Sequence, residues 1–493
     1  MMFKIESHNE YQAYVVRELS LIAETNPELL LEYADTISKA YILDLDNLVS
    51  VIKPLYSETG RPSTNQLEIF RAFVVMTDLH LSIDEWIDKV KYNRVLQIIC
   101  GFRDTLPGVA SYYDFIDRIM PLDERPEFKA KKRKPTKKYK KGEKMPPKHP
   151  NITARLVEQA LKGRRFDNRP EKVLQEIFAK VSVEQSVKLG LIDTNVSVSG
   201  DGTCVNTGAS HFGVKKCECV KQGNYNCDCP RKFSDPNATW GWDSHNQCYF
   251  YGYTGYFIST HNKSLHIDLP LYLRFVQANR HDSVSAIVAI AELLDLYPDF
   301  TINTFISDSA SDNAATYELL YKWNINSVIA LSERGNFKYP PYLNLDENGI
   351  PICMGGNKMV YWGFCPDRER LKFRCPLVLG KISECNCTDS CSPSPYGRTV
   401  YTYPKWDFRL FTTIPRGSDE WKLKMNSRTA SERINNRILN DYGLNQRKSR
   451  GKKRISFFAT VAAVNIHLDA QLQVLSSDNR FDFSRLFYLQ SPA

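Results

Sequence analysis

Three acids lie in settings that local structure alone does not explain. Asp201 sits in Ser197-Val198-Ser199-Gly200-Asp201-Gly202-Thr203. Strand alternation puts Val196 and Val198 on one face and Ser197, Ser199 and Asp201 on the other. An acid between two glycines is poor strand chemistry, and glycine permits close approach of a backbone or ligand. The local alternative is a turn, since Asp-Gly is also a common hairpin pair. Asp308 follows the strand-like run Ile302–Ser307 and precedes a helix, where open α/β sheets place their sites. Its neighbour Asp312 has an ordinary explanation, because Ser311 or Asp312 serves as the cap of that helix. Glu432 lies in Arg428-Thr429-Ala430-Ser431-Glu432-Arg433-Ile434-Asn435-Asn436. Helical spacing sets Arg428, Glu432, Asn435 and Asn436 along one side, with Ile434 and Ile438 on another. The competing reading is a routine surface ion pair with Arg428. Gathered together, the three acids would offer oxygen ligands to two hard divalent cations about 3.5–4 Å apart, an arrangement suited to phosphoryl transfer.

Thiols form the second chemical group. Of 13 cysteines, only Cys100 lies outside Cys204–Cys391. Cys217-Glu218-Cys219 and Cys227-Asp228-Cys229 are two Cys-x-Cys pairs, whose four thiolates could close a structural Zn²⁺ site at Zn–S distances of about 2.3 Å. Cys385, Cys387 and Cys391, with Cys365 and Cys375 upstream, form a second, less diagnostic group. The alternative is buried free thiols acting as small apolar residues. His211, His245, His261, His266 and His281 read as structural or DNA-facing. No Gly-x-x-x-x-Gly-Lys phosphate loop, His-Glu-x-x-His or Gly-x-Ser-x-Gly motif occurs.

Several elements must position these groups. A chain of 493 residues predicts two to four structural units. Residues 1–125 read as a compact helical domain, with a turn at Gly60-Arg61-Pro62-Ser63, a helix from Leu67, a capping box at Ser82–Glu85 and a helix over Ser111–Ile119. Residues 126–152 form a basic linker. Its Lys129–Lys148 stretch holds eleven Lys/Arg against one acid, a density that phosphate would relieve by counterion release. Residues 153–334 predict the first part of a mixed α/β core. A helical stretch (Ala154–Lys188) precedes strands at Asn195–Val205, Cys248–Ser259 and Leu265–Gln277. Then come a helix at Ser283–Tyr297, a strand at Thr301–Ser307, a helix at Asp312–Trp323 and a strand at Ser327–Leu331. A Cys-rich insert covers 205–247, and an irregular β-rich insertion covers 335–420. The core resumes over 421–493 with helices at Ser427–Asn440 and Phe457–Leu475. The net charge of +9 is modest but locally concentrated. No secretory signal and no run of about 18 apolar residues is evident. The expectation is a soluble, cytoplasmic protein.

Several of these segments, taken in order, resemble the insertion-sequence transposases of the Asp–Asp–Glu class, which have a ribonuclease-H-like catalytic domain. The likeness runs roughly from Leu55 to Leu475. It includes Gly60-Arg61-Pro62, Ser111–Arg118, Ser199–Thr203, Asp235-Pro236-Asn237-Ala238-Thr239-Trp240-Gly241, Tyr251-Gly252-Tyr253, Ala278–Ser283, Ile306–Asp312 and Arg428–Glu432 with Asn435-Asn436. The resemblance implies a ribonuclease-H-like mixed sheet with flanking helices, and Asp201, Asp308 and Glu432 as ligands of two Mg²⁺ or Mn²⁺ ions. It further implies hydrolysis at element ends, followed by attack of the freed 3′-hydroxyl on target DNA. Partners would be double-stranded DNA, as terminal repeats and as target, and a second copy of the chain holding two ends together. Lys131, Lys132, Arg133, Lys137, Lys138, Arg428, Arg450, Lys452 and Lys453 would contact phosphates. Two departures stand out: Met425 replaces the family's tyrosine, and Leu439 stands where a basic residue is expected, leaving Arg437 or the Arg447–Arg454 cluster to supply the charge. The rival readings are a transposase-derived DNA-binding regulator without catalysis and a nuclease that cuts without joining.

Overall fold

The computed structural model describes residues 5–487 except 58, 60–62, 122–127, 130–141, 143–150, 167–170, 334–336 and 388–390, with backbone alone at 128 and 129. Gly60-Arg61-Pro62 and Lys131, Lys132, Arg133, Lys137 and Lys138 therefore lie outside the described residues.

Among the described residues the amino-terminal part is predominantly helical. It includes α1 (Gln66–Asp78), α2 (Ile83–Tyr92) and α3 (Val109–Ile119). The expected capping box starts α2: Glu85 N donates to Ser82 Oγ, and Ser82 N donates to Glu85 Oε2 at 2.8 Å.

A six-stranded mixed sheet follows. Its strands are β1 (Asn195–Asn206), β2 (Thr239–Asp243), β3 (Cys248–Asn262), β4 (Ile267–Gln277), β5 (Thr301–Ser307) and β6 (Asn326–Ile329). Laterally the order is β4-β3-β1-β5-β6, and β2 pairs with the start of β3 beside β4. The β1–β3 and β3–β4 pairs are antiparallel, whereas β5 runs parallel to β1 and β6 parallel to β5. Parallel pairing needs a crossover. It is supplied by α4 (Asp282–Leu296), which buries Val284 through Ile290 and Leu293, and by α5 (Ala314–Lys322). The protein is thus a mixed α/β fold with amino-terminal helices and a central mixed sheet.

Residues 335–420 carry an antiparallel meander of β7 (Val360–Cys365), β8 (Arg370–Arg374) and β9 (Thr399–Thr402). It packs a small core of its own around Cys353, Met359, Leu371, Phe373, Leu410 and Phe411. The chain then returns through α6 (Thr429–Asn436) and α7 (Lys452–Ser477).

Helix α7 joins the halves. Phe457 meets Phe73 edge-on at 4.6 Å between centroids, Asn465 Nδ2 donates to Val74 O at 3.1 Å, and His467 Nε2 contacts Pro270 O at 2.8 Å. The amino-terminal helices and the sheet consequently share one continuous apolar core. Helix α7 is also long and apolar enough to cross a membrane, but 89% of its apolar window is buried inside the protein. Ser456, Thr460, Asn465 and His467 interrupt its apolar run, so no such stretch is expected from the sequence. All four are buried.

Candidate functional site

Asp201, Asp308 and Glu432 line one cleft of about 1380 Å³. Each arrives on a different element. Asp201 is mid-strand in β1, opposite Phe257 of β3, so Asp201-Gly202 is not a hairpin turn. Both flanking glycines serve close approaches. A β-carbon at Gly200 would lie 2.4 Å from the Tyr256 hydroxyl, and one at Gly202 would lie 2.5 Å from Asp282 Oδ1.

Asp308 leaves the end of β5 and accepts from Ala310 N at 3.0 Å, capping a single tight turn over Ser309–Ser311. That turn delays α5, whose cap is neither Ser311 nor Asp312 but Asn313, which accepts from Thr316 N at 3.0 Å. Asp312 instead takes a buried ion pair from Arg409 at 2.6 Å and two hydrogen bonds from Ser332, tying the insertion to the core.

Glu432 is carried by α6, which lies directly on the sheet because small hydroxyl residues meet there. Ser431 Oγ donates to Ser199 Oγ at 2.6 Å and lies 3.2 Å from Ser259 Oγ. Ile434 and Ile438 are buried as their spacing predicts. Asn435, on the same side as Glu432, reaches Asp201: its Nδ2 donates to Asp201 Oδ2 at 2.9 Å, while its buried Oδ1 has no partner among the described residues. The Glu432 carboxylate is half-exposed and accepts from Arg428 Nη2 at 2.5 Å. The surface ion pair expected from the sequence is therefore present, but at the mouth of the cleft.

A fourth acid, Asp282, belongs to the same cleft. It is the first residue of α4, capped by His281. Burial pushes the Asp201 carboxyl up to about 7, reinforced by Asp308, Asp282 and Glu432 and opposed by Arg428. Burial, with Asp308 beside it, pushes Asp282 up to about 6. The three expected acids line one cavity without closing into a tight knot. Among the described residues, only Cys217, Cys219, Cys227 and Cys229 bring all their ligand atoms within 4.8 Å of one another.

The cleft rim is aromatic. Trp240 and Trp242 of β2 and Tyr249 of β3 are exposed there, with Trp242 and Tyr249 edge-on at 4.8 Å. No strand is expected at Thr239–Asp243 from the sequence, so this surface is not foreseen there.

The four thiols are set by a short ribbon. Val214–Lys215 pairs with Arg231–Lys232, which also pairs with Phe128–Lys129. Cys217 and Cys227 sulfurs are 3.4 Å apart, and those of Cys219 and Cys229 3.6 Å. A tetrahedral Zn²⁺ with Zn–S bonds of about 2.3 Å requires S···S separations of roughly 3.8 Å. The cluster is a metal-competent Cys₄ group consistent with a structural site.

The basic candidates divide. Lys452 pairs with the buried Glu171, and Lys453 Nζ lies 2.9 Å from Asp117. Both ammonium groups thus have carboxylate partners that compete with phosphate. Arg450 is exposed and donates to Gly208 O at 3.3 Å. Arg437 pairs with Asp469 at 2.5 Å, and Arg447 is turned inward to Leu81 O and Thr77 Oγ1.

Asp235 is structural. Its 1%-exposed carboxylate accepts from Thr207 Oγ1, Ala238 N, Tyr253 OH and Gly451 N, pinning the Cys-rich insert to the start of α7. No protein-family model and no curated protein matches the chain.

Proposed function

We propose that the protein is a DNA transposase that cuts and joins phosphodiester bonds with Asp201, Asp308 and Glu432. The observation that carries this reading is that acids from β1, from the end of β5 and from α6 line one cleft, with Asn435 of α6 hydrogen-bonded to Asp201 of β1. The finer fold reading is ribonuclease-H-like. It is supported by three antiparallel strands followed by two strands parallel to the first, in the lateral order β4-β3-β1-β5-β6.

The donor set fits a hard divalent cation. Every candidate ligand is oxygen, two of the carboxyls are held protonation-prone by burial with neighbouring acids adding to it, and the Asn435 carbonyl oxygen has no partner among the described residues. Asp201, Asp308 and Glu432 would hold Mg²⁺ or Mn²⁺, with Asp282 beside them. When bound, such ions supply neutralisation of phosphate charge and activation of the attacking oxygen. Asn435 fixes the orientation of Asp201, and Arg428 holds Glu432 at the cleft mouth where a phosphate would enter. Exposed Trp240, Trp242 and Tyr249 offer faces on which unpaired bases can stack.

The test incubates the full chain and Mn²⁺ with duplexes carrying the DNA that flanks its coding region. Cutting followed by joined products supports the reading. Asp201→Asn, Asp308→Asn and Glu432→Gln should each abolish cutting and leave DNA binding largely intact. Binding without cutting would favour a regulator, cutting without joining a nuclease, and full activity in any of the three variants would remove that acid from the site.

A further inference from the structure

The β-rich insertion gathers a second group of cysteines around one turn, with Cys385 and Cys387 in contact, and it is not the set that sequence spacing suggests. Cys365 closes β7 opposite Arg370, and Cys375 lies under Gly397, so neither joins Cys385, Cys387 and Cys391. The residue that does is Cys353. It opens a tight turn in which Cys353 N donates to Asn357 O and Gly356 N donates to Cys353 O, each at 2.9 Å. The thiols of Cys385 and Cys387 sit directly over this turn. A β-carbon at Gly355 would lie 2.7 Å from Cys385 Sγ and 3.0 Å from Cys387 Sγ. Those two sulfurs are 3.1 Å apart, and Asn357 Nδ2 approaches Cys385 Sγ at 3.8 Å.

We propose that Cys353, Cys385, Cys387 and Cys391 form a second structural metal site, for Zn²⁺ or a cation of similar softness, that closes the β-rich insertion. Cys385 and Cys387 are already in contact over the Cys353–Gly356 turn, and since the four sulfurs do not all lie within 4.8 Å of one another, ligation would draw Cys353 and Cys391 inward onto that pair. None of the four is in a disulfide. Three features fit thiolate ligation. The ligands come from two segments, a Gly-Gly turn and a Cys-x-Cys run. Gly355 leaves room for sulfur where any side chain would block it. An amide N–H points at one sulfur, as ligating thiolates accept. The need is physical as well, since an insertion core of six buried apolar residues is small enough to require a staple. Binding would release the thiol protons and order the turn and the Cys-x-Cys run together.

The experiment counts zinc in the purified full chain by elemental analysis. Two ions per chain are expected. Cys385→Ser with Cys387→Ser should leave one, Cys217→Ser with Cys219→Ser should also leave one, and the combination should leave none. One ion in the unaltered protein, or two remaining after Cys385 and Cys387 are replaced, overturns the site. A second measurement needs no variant. Cys353, Cys385, Cys387 and Cys391 should resist alkylation until a strong chelator is added, whereas the exposed Cys248 should react at the same rate throughout. Fast alkylation of Cys385 and Cys387 before chelation, or recovery of a disulfide between any of the four, would equally overturn it.

Discussion

Asn435 on α6 donates a 2.9 Å hydrogen bond to Asp201 on β1, joining residues 234 positions apart in the chain. This bond orients one candidate metal ligand and holds the helix that carries another.

Replacing Asn435 by Ala should therefore slow DNA cutting by roughly 10- to 100-fold, the usual effect of losing an outer-shell partner. DNA affinity should hardly change, and stability should drop by about 1–2 kcal/mol for the lost buried bond. Single-turnover cutting and a denaturant melt on the same variant check both halves. Unchanged cutting would make Asn435 a packing residue only.

Asp201 titrates near 7 in the folded chain, against about 3.9 in an unfolded one. The folded state keeps a proton that the unfolded state loses, so this group's contribution to stability falls as pH rises from about 4 to 7. At pH 8 and without divalent ions, Asp201→Asn should melt on the order of a few degrees higher than the unaltered protein. Mn²⁺ should raise the melting temperature of the unaltered protein and leave that of the variant nearly unmoved. An equal Mn²⁺ shift in both would place the ion elsewhere.

Removing zinc from Cys217, Cys219, Cys227 and Cys229 should loosen residues 214–232, since the four thiols gather at the centre of this segment. Limited proteolysis after chelation should cut within this segment first. Protection identical to the untreated protein would mean that the thiols need no metal.

The aromatic rim predicts preference for unpaired bases. Trp242→Ala should weaken binding to single-stranded DNA by about 1–3 kcal/mol, the range for one base–aromatic stack. Trp242 is 53% exposed but meets Tyr249 edge-on, so its loss should cost about 0.5–1.5 kcal/mol of stability. Fluorescence anisotropy with single-stranded and duplex probes measures the difference.

His467 gives the acid response. Burial depresses it to about 4, between Ser186 Oγ at 2.8 Å and Pro270 O. The unfolded chain takes up the proton near 6.5 while the folded chain refuses it. Its contribution to stability is thus full above about 6.5 and shrinks as pH falls toward 4, by up to roughly 3 kcal/mol. His467→Gln should flatten the melting temperature between pH 7 and 5 while lowering it at pH 7.

Much of the scaffold was legible because it is local. The Ser82–Glu85 cap, the alternation that turns Ser199 and Asp201 to one face, and the burial of Ile434 and Ile438 all follow from spacing within one element. What escaped depends on distant partners. Asp282 stood in the Ala278–Ser283 segment just before a helix but with no role assigned; the clue was Gly202, whose missing side chain makes room for it. Asp312 looked like a cap because its partner Arg409 lies 97 residues on. The hydroxyl contact of Ser431 with Ser199 spans 232 positions, and nothing near either serine announces it.

A ribosome makes α1 long before α7, and Asn465 emerges 391 residues after the Val74 carbonyl it will bond. Until then the early helices expose the apolar face that α7 covers, an invitation to chaperones and to aggregation. Synthesis alone, cut short by a stop codon ahead of Lys452, should yield insoluble protein rather than a detachable helical module.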